Sequence, residues 1–250
     1  MAYPTILFSA DGEQYNAYRD DNQIFPYGTQ LVMQDGRKYR FARAGGVLLV
    51  VGNVLAAAVA EANHLDTTAV ASAIASRAPQ TTLGATLAAV NLYREGFAVV
   101  SITPDGGSTY LIGSHAAVAS AGIMTINLAP GFALKAAWTT TSRIDLLVPS
   151  YKSVIQSPAT TLTSEVVGVA CFALAANTTA AALSHGWVAT RGPHGVLTSG
   201  TAVVGANAIV PLGTAGAAGP SAASTSYVVG RVMTVAAAAG WSTLFLTIDG

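Results

Sequence analysis

Charge is what this sequence has least of. Of 250 residues, 12 are basic and 12 acidic, 10 % of the chain, against about 25 % in a typical soluble protein. The net charge is zero, so the electrostatic footprint of a nucleic-acid-binding or anionic-membrane-binding protein is missing. Cysteine occurs once, at Cys171, which excludes an internal disulfide and a zinc site built on cysteines. Histidine occurs four times (His64, His115, His185 and His194), and no two stand at the i, i+4 spacing of a helical zinc site. There is no Gly-x-Ser-x-Gly elbow and no Gly-x-x-x-x-Gly-Lys-Ser/Thr loop. Gly213, Gly216 and Gly219 have the wrong spacing for a dinucleotide fingerprint. No period of 20–50 residues repeats, which excludes solenoids and propellers. Met1–Glu13 has no basic region ahead of its apolar stretch, so no secretory leader is expected. The uncharged runs Ala44–Ala60 and Val232–Ile248 have 17 residues each, but Gly45, Gly46, Gly52 and Asn53 interrupt the first and Thr234, Ser242, Thr243 and Thr247 the second. No membrane span is expected from either.

What the chain does have is small residues and threonine: 48 Ala, 25 Gly and 26 Thr. These suit closely apposed β surfaces better than leucine-rich helical bundles. A surface this poor in charge is weakly protected against self-association. It is therefore either rich in Thr and Ser or covered by other subunits. The reading is a mainly β chain in an assembly, an extended N-terminal arm and hairpin (1–45) followed by two small β-sandwich or barrel-like domains (46–158 and 159–250), with little helix.

Eight of the 19 aromatic residues fall in the first 41 positions. Tyr3, Phe8, Tyr15, Tyr18, Phe25 and Tyr27 lie in a segment broken by Pro4, Gly12, Pro26 and Gly28, which predicts an extended arm with aromatic anchors. The arm either packs on its own domain or reaches a neighbouring subunit. Asp35-Gly36 between Thr29–Gln34 and Arg37–Ala42 predicts a hairpin closed by a type I′ turn. Alternation puts Lys38 and Arg40 on one face and Tyr39 and Phe41 on the other. Arg37, Lys38, Arg40 and Arg43 form the one basic cluster, either a solvated face or a contact to an acidic partner. These four residues and the six arm aromatics are the expected partner contacts.

Further along, Ala56–Ala62 and a segment capped at Asp66-Thr67-Thr68 and running to Arg77 predict at most two short helices. Phe97–Thr103 and Ser108–Ile112 predict a second hairpin around Pro104–Gly107, followed by strands at Ile123–Leu128, Phe132–Thr139 and Arg143–Val148. Beyond Pro158 only Glu165, Arg191, Arg231 and Asp249 carry charge. Strands are predicted there at 166–174, 186–190, 195–197, 202–204, 208–210, 227–235 and 242–248, with a mobile loop at Gly213–Ser226.

Chemistry-bearing constellations are weak. His185 and His194 bracket one predicted hairpin, with only Glu165 and Asp249 as carboxylates in that half. The Asp-Gly pairs at Asp11, Asp35, Asp105 and Asp249 read as turns. Trp138, Trp187 and Trp241 lie in predicted strands, where core packing outweighs a sugar platform. Asn177-Thr178-Thr179 matches a glycosylation sequon that reads as incidental. No catalytic, cofactor-binding or metal-ligating residue is nominated, and the chain is not read as an enzyme.

The order of segments carries a resemblance. Phe25-Pro-Tyr-Gly-Thr-Gln-Leu-Val runs into Asp35-Gly-Arg-Lys-Tyr-Arg-Phe-Ala-Arg-Ala-Gly-Gly. Tyr93-Arg-Glu-Gly-Phe-Ala-Val-Val and Tyr110-Leu-Ile-Gly-Ser-His come next. Leu147-Val-Pro-Ser-Tyr, His185-Gly-Trp-Val-Ala-Thr-Arg-Gly-Pro and Phe245-Leu-Thr-Ile-Asp complete the series. It resembles structural proteins of tailed bacteriophages, of the head-decoration or capsid-cement kind, especially marine ones. The resemblance implies a non-enzymatic β-rich virion protein, made in the host cytoplasm and bound outside the capsid. There it would bridge major capsid subunits and contact neighbouring copies of itself as a homodimer or homotrimer. It brings no cofactor, nucleic-acid or membrane partner. The alternative is a carbohydrate-binding or adhesive module of a phage fibre or tail.

Overall fold

The computed structural model of the protein describes residues 6–210, 213–220, 226–236 and 240–249. Strand accounts for 41 % of the chain and helix for 3 %, so the mainly β expectation holds. The helical part among the described residues is two single 3-10 turns, Glu13–Tyr15 and Ala62–His64. The chain divides into two compact units, one of residues Met1–Val59 and Ser150–Gly250, the other of Ala60–Pro149.

In the first unit β1 (Ile6–Ser9) lies parallel to β2 (Gln30–Met33), which pairs antiparallel with β3 (Lys38–Arg43). β3 pairs in turn with the first half of the 13-residue strand β14 (His185–Leu197). β14 carries an extra residue at Thr190 and then turns through Gly192, whose φ of +97° suits glycine. Its second half pairs with β18 (Trp241–Thr247), and the order continues through β17 (Tyr227–Val232) and β15 (Asn207–Val210) to β16 (Gly219–Pro220). A branch leaves β14 through β13 (Val166–Ala170) to β4 (Val54–Ala56) and β12 (Ile155–Gln156). The hairpin and the C-terminal strands thus share one sheet. The unit boundaries fall at 59/60 and 149/150 instead of 45/46 and 158/159, because β3 and β4 find their partners more than a hundred residues downstream.

The second unit holds β5 (Thr67–Val70), β6 (Gln80–Thr82), β7 (Phe97–Ile102), β8 (Thr109–Ser114), β9 (Ile123–Thr125), β10 (Asn127–Leu128) and β11 (Arg143–Leu147). Their order is β10-β8-β7-β11-β5-β6-β9. The first and last members are halves of one segment broken at the buried Ile126, so the sheet returns on itself and leaves no long edge. Its core is Tyr93, Tyr110, Trp138, Met124, Ile112 and Ile144 with smaller neighbours.

Several local expectations are corrected. Thr67–Val70 is a strand, not a helix. Asp66 does not cap one: it sits at φ +53° in a turn, its N–H donating to Asp145 Oδ1 at 2.7 Å. Cross-strand pairing with β6 and β11 outweighs the local helix preference there. Ala56 pairs in β4 instead of starting a helix. The first hairpin closes with a three-residue loop: Gly36 N–H donates to Met33 C=O and Met33 N–H to Arg37 C=O, with only Gly36 at positive φ. That is a type I turn with a glycine bulge in place of type I′. Phe132–Thr139 forms no strand beyond an isolated bridge between Ser72 and Trp138, and 202–204 forms none. Within the predicted mobile loop, Ala217 and Ala218 are buried and β16 pairs with β15; residues 221–225 lie outside the described residues. Among the described residues no helix is long and apolar enough to cross a membrane.

Candidate interaction surfaces

The nominated aromatics divide sharply. Tyr18 and His185 exchange backbone hydrogen bonds, N to O, at 2.8 and 3.1 Å. The Tyr18 hydroxyl donates to Glu13 Oε1 at 2.6 Å. Phe25 sits between Phe41 and Trp187, with ring centroids 5.5 and 5.6 Å away. Tyr27 stacks on the His185 ring at 5.9 Å, its hydroxyl 3.2 Å from His185 Nε2. These three therefore anchor the arm to its own unit. Phe8 and Tyr15 remain 81 % and 56 % exposed. Tyr3 lies outside the described residues.

The basic cluster is neutralised within the chain. Arg43 pairs with Asp20 through Nε at 2.6 Å and Nη2 at 2.7 Å. Arg40 holds Asp249 through Nε at 2.7 Å and Nη2 at 2.9 Å. Arg37 binds Asp35 at 2.6 Å and Asp11 at 2.9 Å, and donates to the Tyr39 hydroxyl at 3.0 Å. Lys38 adds a favourable charge near Asp249. An approaching partner would meet ion pairs that are already made. These carboxylates were not legible from local sequence because Asp11, Asp20 and Asp249 are brought to the hairpin by β1, by the arm and by β18.

Tyr15, Val51, Ala170, Cys171, His194, Gly195 and Trp241 line a cleft of about 360 Å³ without a charged side chain. Trp138 and Trp187 are buried as expected, but Trp241 is 57 % exposed. Its seat is built: the indole N–H donates to Val51 C=O at 3.4 Å, and a Cβ at Gly52 would lie 2.4 Å from Nε1. The period-two pattern of β18, with Ser242, Leu244 and Leu246 buried, was the available signal that Trp241 faces outward. Val47, Leu48 and Val50 are also exposed, on the loop that carries Val51.

Burial, with Arg37 nearby, holds the His194 imidazole down to about 4, so it is neutral at physiological pH. Burial pushes the Cys171 thiol up to about 12 and keeps it from being a thiolate nucleophile. The arrangement suits uncharged groups and supplies no activated nucleophile. Among the described residues no group of three or more His, Cys, Asp or Glu could hold a metal ion.

These groups set a pH response. His194, and His185 by its own burial, take up protons more readily in the unfolded chain than in the fold. Acid therefore favours unfolding, and stability present above about 6.5 is lost progressively as pH falls toward about 4. The Arg40 hydrogen bonds hold Asp249 below the ordinary carboxylate range, so its contribution survives to lower pH and is lost as Asp249 becomes protonated. Urea unfolding between pH 7 and 3 is expected to show a falling midpoint. His194→Gln should flatten the limb above pH 4, whereas Asp249→Asn should lower the unfolding free energy at neutral pH by about 1–2 kcal/mol. A midpoint independent of pH over this range would refute the assignment. Compared with protein-family models, with curated proteins and with solved structures, the chain shows no match.

Proposed function

We propose that the protein is a structural virion protein, a decoration or cement protein that binds the outer capsid surface and bridges major capsid subunits. The observation that carries this reading is the exposed apolar surface: Phe8, Tyr15, Val47, Leu48, Val50, Val51 and Trp241 face outward on a chain with 24 charges. Exposed apolar patches rimmed by little charge mark surfaces that another protein covers. The resemblance in segment order supports the same reading.

The mechanism needs no bond-making. A ligand that binds only the assembled arrangement of subunits stabilises it by mass action, about 2.7 kcal/mol at 100-fold excess over its dissociation constant. A standard interface buries about 1,600 Å² in total, and the binding is driven by apolar contact. Because Arg37, Arg40 and Arg43 are spent on internal carboxylates, binding should depend weakly on salt. The test is particle melting with and without the protein, at low and high salt. Decorated particles are expected to melt higher at both. Equal melting and equal pressure resistance would overturn the proposal.

One observation favours a second reading, a carbohydrate-binding module of a fibre or tail. The exposed rings of Trp241 and Tyr15 flank an uncharged cleft, a geometry on which the apolar face of a sugar can stack. Glycan binding abolished by Trp241→Ala, with no effect of the protein on particle melting, would establish that reading instead.

A further inference from the structure

We propose that β1 is a docking edge at which two copies of this chain pair strand to strand, antiparallel about a two-fold axis. The second unit's sheet returns on itself. In the first unit the order ends at β16, two residues long and containing Pro220, and the branch ends at β12, also two residues long. Short strands and proline are the usual means of blunting an edge. β1 ends the same sheet with four residues, Ile6-Leu7-Phe8-Ser9, twice the length of β12 or β16, and has no proline within it. It contains no charge, proline or bulge, and among the described residues no strand pairs with its outer side. Its outer row of N–H and C=O groups is a template for another extended strand.

The side chains add a second argument. Leu7 packs toward the core, while Ile6 and Phe8 face outward, and no large apolar residue among those described is more exposed than Phe8. Phe8 itself forms one wall of a depression of about 230 Å³, lined also by Ser9, Ala10, Val32, Met33 and Gln34, again without a charged side chain. A projecting ring on the rim of an uncharged hollow makes the edge complementary to itself. A two-fold axis through paired β1 strands brings each Phe8 to the other copy's hollow without opposing like charges. Four residues of pairing plus one aromatic anchor per copy give a weak, concentration-dependent dimer. The inference concerns the free protein and does not depend on the capsid reading.

Sedimentation equilibrium of the full chain over about 1 to 200 µM covers the range in which such a dimer forms. The mass is expected to rise from 25.3 kDa toward twice that value. Hydrogen exchange at residues 6–9 should slow over the same range. Phe8→Lys should weaken association at least tenfold with the thermal midpoint unchanged, because the ring it replaces is exposed. Phe8→Leu should restore most of it, and Tyr15→Lys, on an aromatic outside the edge, should leave it intact. A wild-type chain that stays monomeric throughout overturns the proposal, whatever the particle-melting result. Equal weakening by Phe8→Lys and Tyr15→Lys also overturns it, in favour of unspecific apolar association. If the free protein is monomeric but Phe8→Lys abolishes capsid occupancy, self-pairing is refuted and the edge belongs to a shell protein.

Discussion

Replacing Trp187 by alanine is expected to cost about 3–5 kcal/mol, a large share of the roughly 5–15 kcal/mol that holds a domain folded. Trp187 lies on the first half of β14, directly across from Phe41 on β3, and both are fully buried. Its ring centroid is 5.4 Å from Phe41 and 5.6 Å from Phe25. The one side chain therefore ties together the long strand, the hairpin and the arm. Truncation removes the packing of all three and leaves a hollow that Phe25, Phe41 and the stacked His185 cannot fill without breaking their own contacts. The thermal midpoint should fall by roughly 10 °C, with amide protection lost first in β3 and β14. Trp187→Phe keeps a ring in place and should cost about half as much or less. An alanine variant within about 1 kcal/mol of the wild type would show that this cluster is not the keystone of the first unit.

Asp105→Ala should be comparably damaging to the second unit, and Asp105→Asn should not. Asp105 Oδ2 accepts from the Tyr110 hydroxyl at 2.6 Å and from Trp138 Nε1 at 3.1 Å, and Oδ1 accepts from Ser108 Oγ at 2.7 Å. Tyr110 and Trp138 are both buried. Alanine would orphan both of their donors, at about 1–3 kcal/mol each. It would also sit poorly at the φ of +72° that Asp105 adopts in the β7–β8 turn. Asparagine tolerates that conformation, keeps an oxygen at the Oδ2 position and presents its amide to Ser108, whose hydroxyl can rotate to accept. The expected order of stability is wild type, then Asn within about 1 kcal/mol, then Ala lower by about 3–5 kcal/mol. Equal loss in both variants would mean that the charge, not the acceptor geometry, matters at this site.

How far the sequence could be read depended on the range of the interactions involved. Alternation put Tyr39 and Phe41 together on one face of β3, which is the buried one, because a period of two is a property of the strand itself. Turn residues and spacing predicted strands at 97–103, 108–112 and 143–148, which form at 97–102, 109–114 and 143–147. The arm aromatics were legible as anchors but their target was not. Tyr18, Phe25 and Tyr27 turn inward because His185 and Trp187, some 160 residues later, supply the rings they meet. The same holds for the basic cluster, whose fate was decided by Asp20 and Asp249. Helix preference misled at Thr67–Val70, where two neighbouring strands outweigh a few tenths of a kcal/mol per residue.

Composition and periodicity, which are local quantities, determined the mainly β class, the burial of Trp187 and a surface short of charge. Tertiary pairing alone decided the rest. It split the chain at 59/60 and 149/150, closed the second sheet through the two halves of Ile123–Leu128, and placed Trp241 beside Tyr15 in a cleft. It also left β1 as the longest of the three end strands of the first unit's sheet among the described residues. A sequence specifies which face of a strand is apolar. Which strand lies next to it, and whether anything does, depends on closing loops of a hundred residues or more, whose entropic cost grows only slowly with length and leaves little local trace.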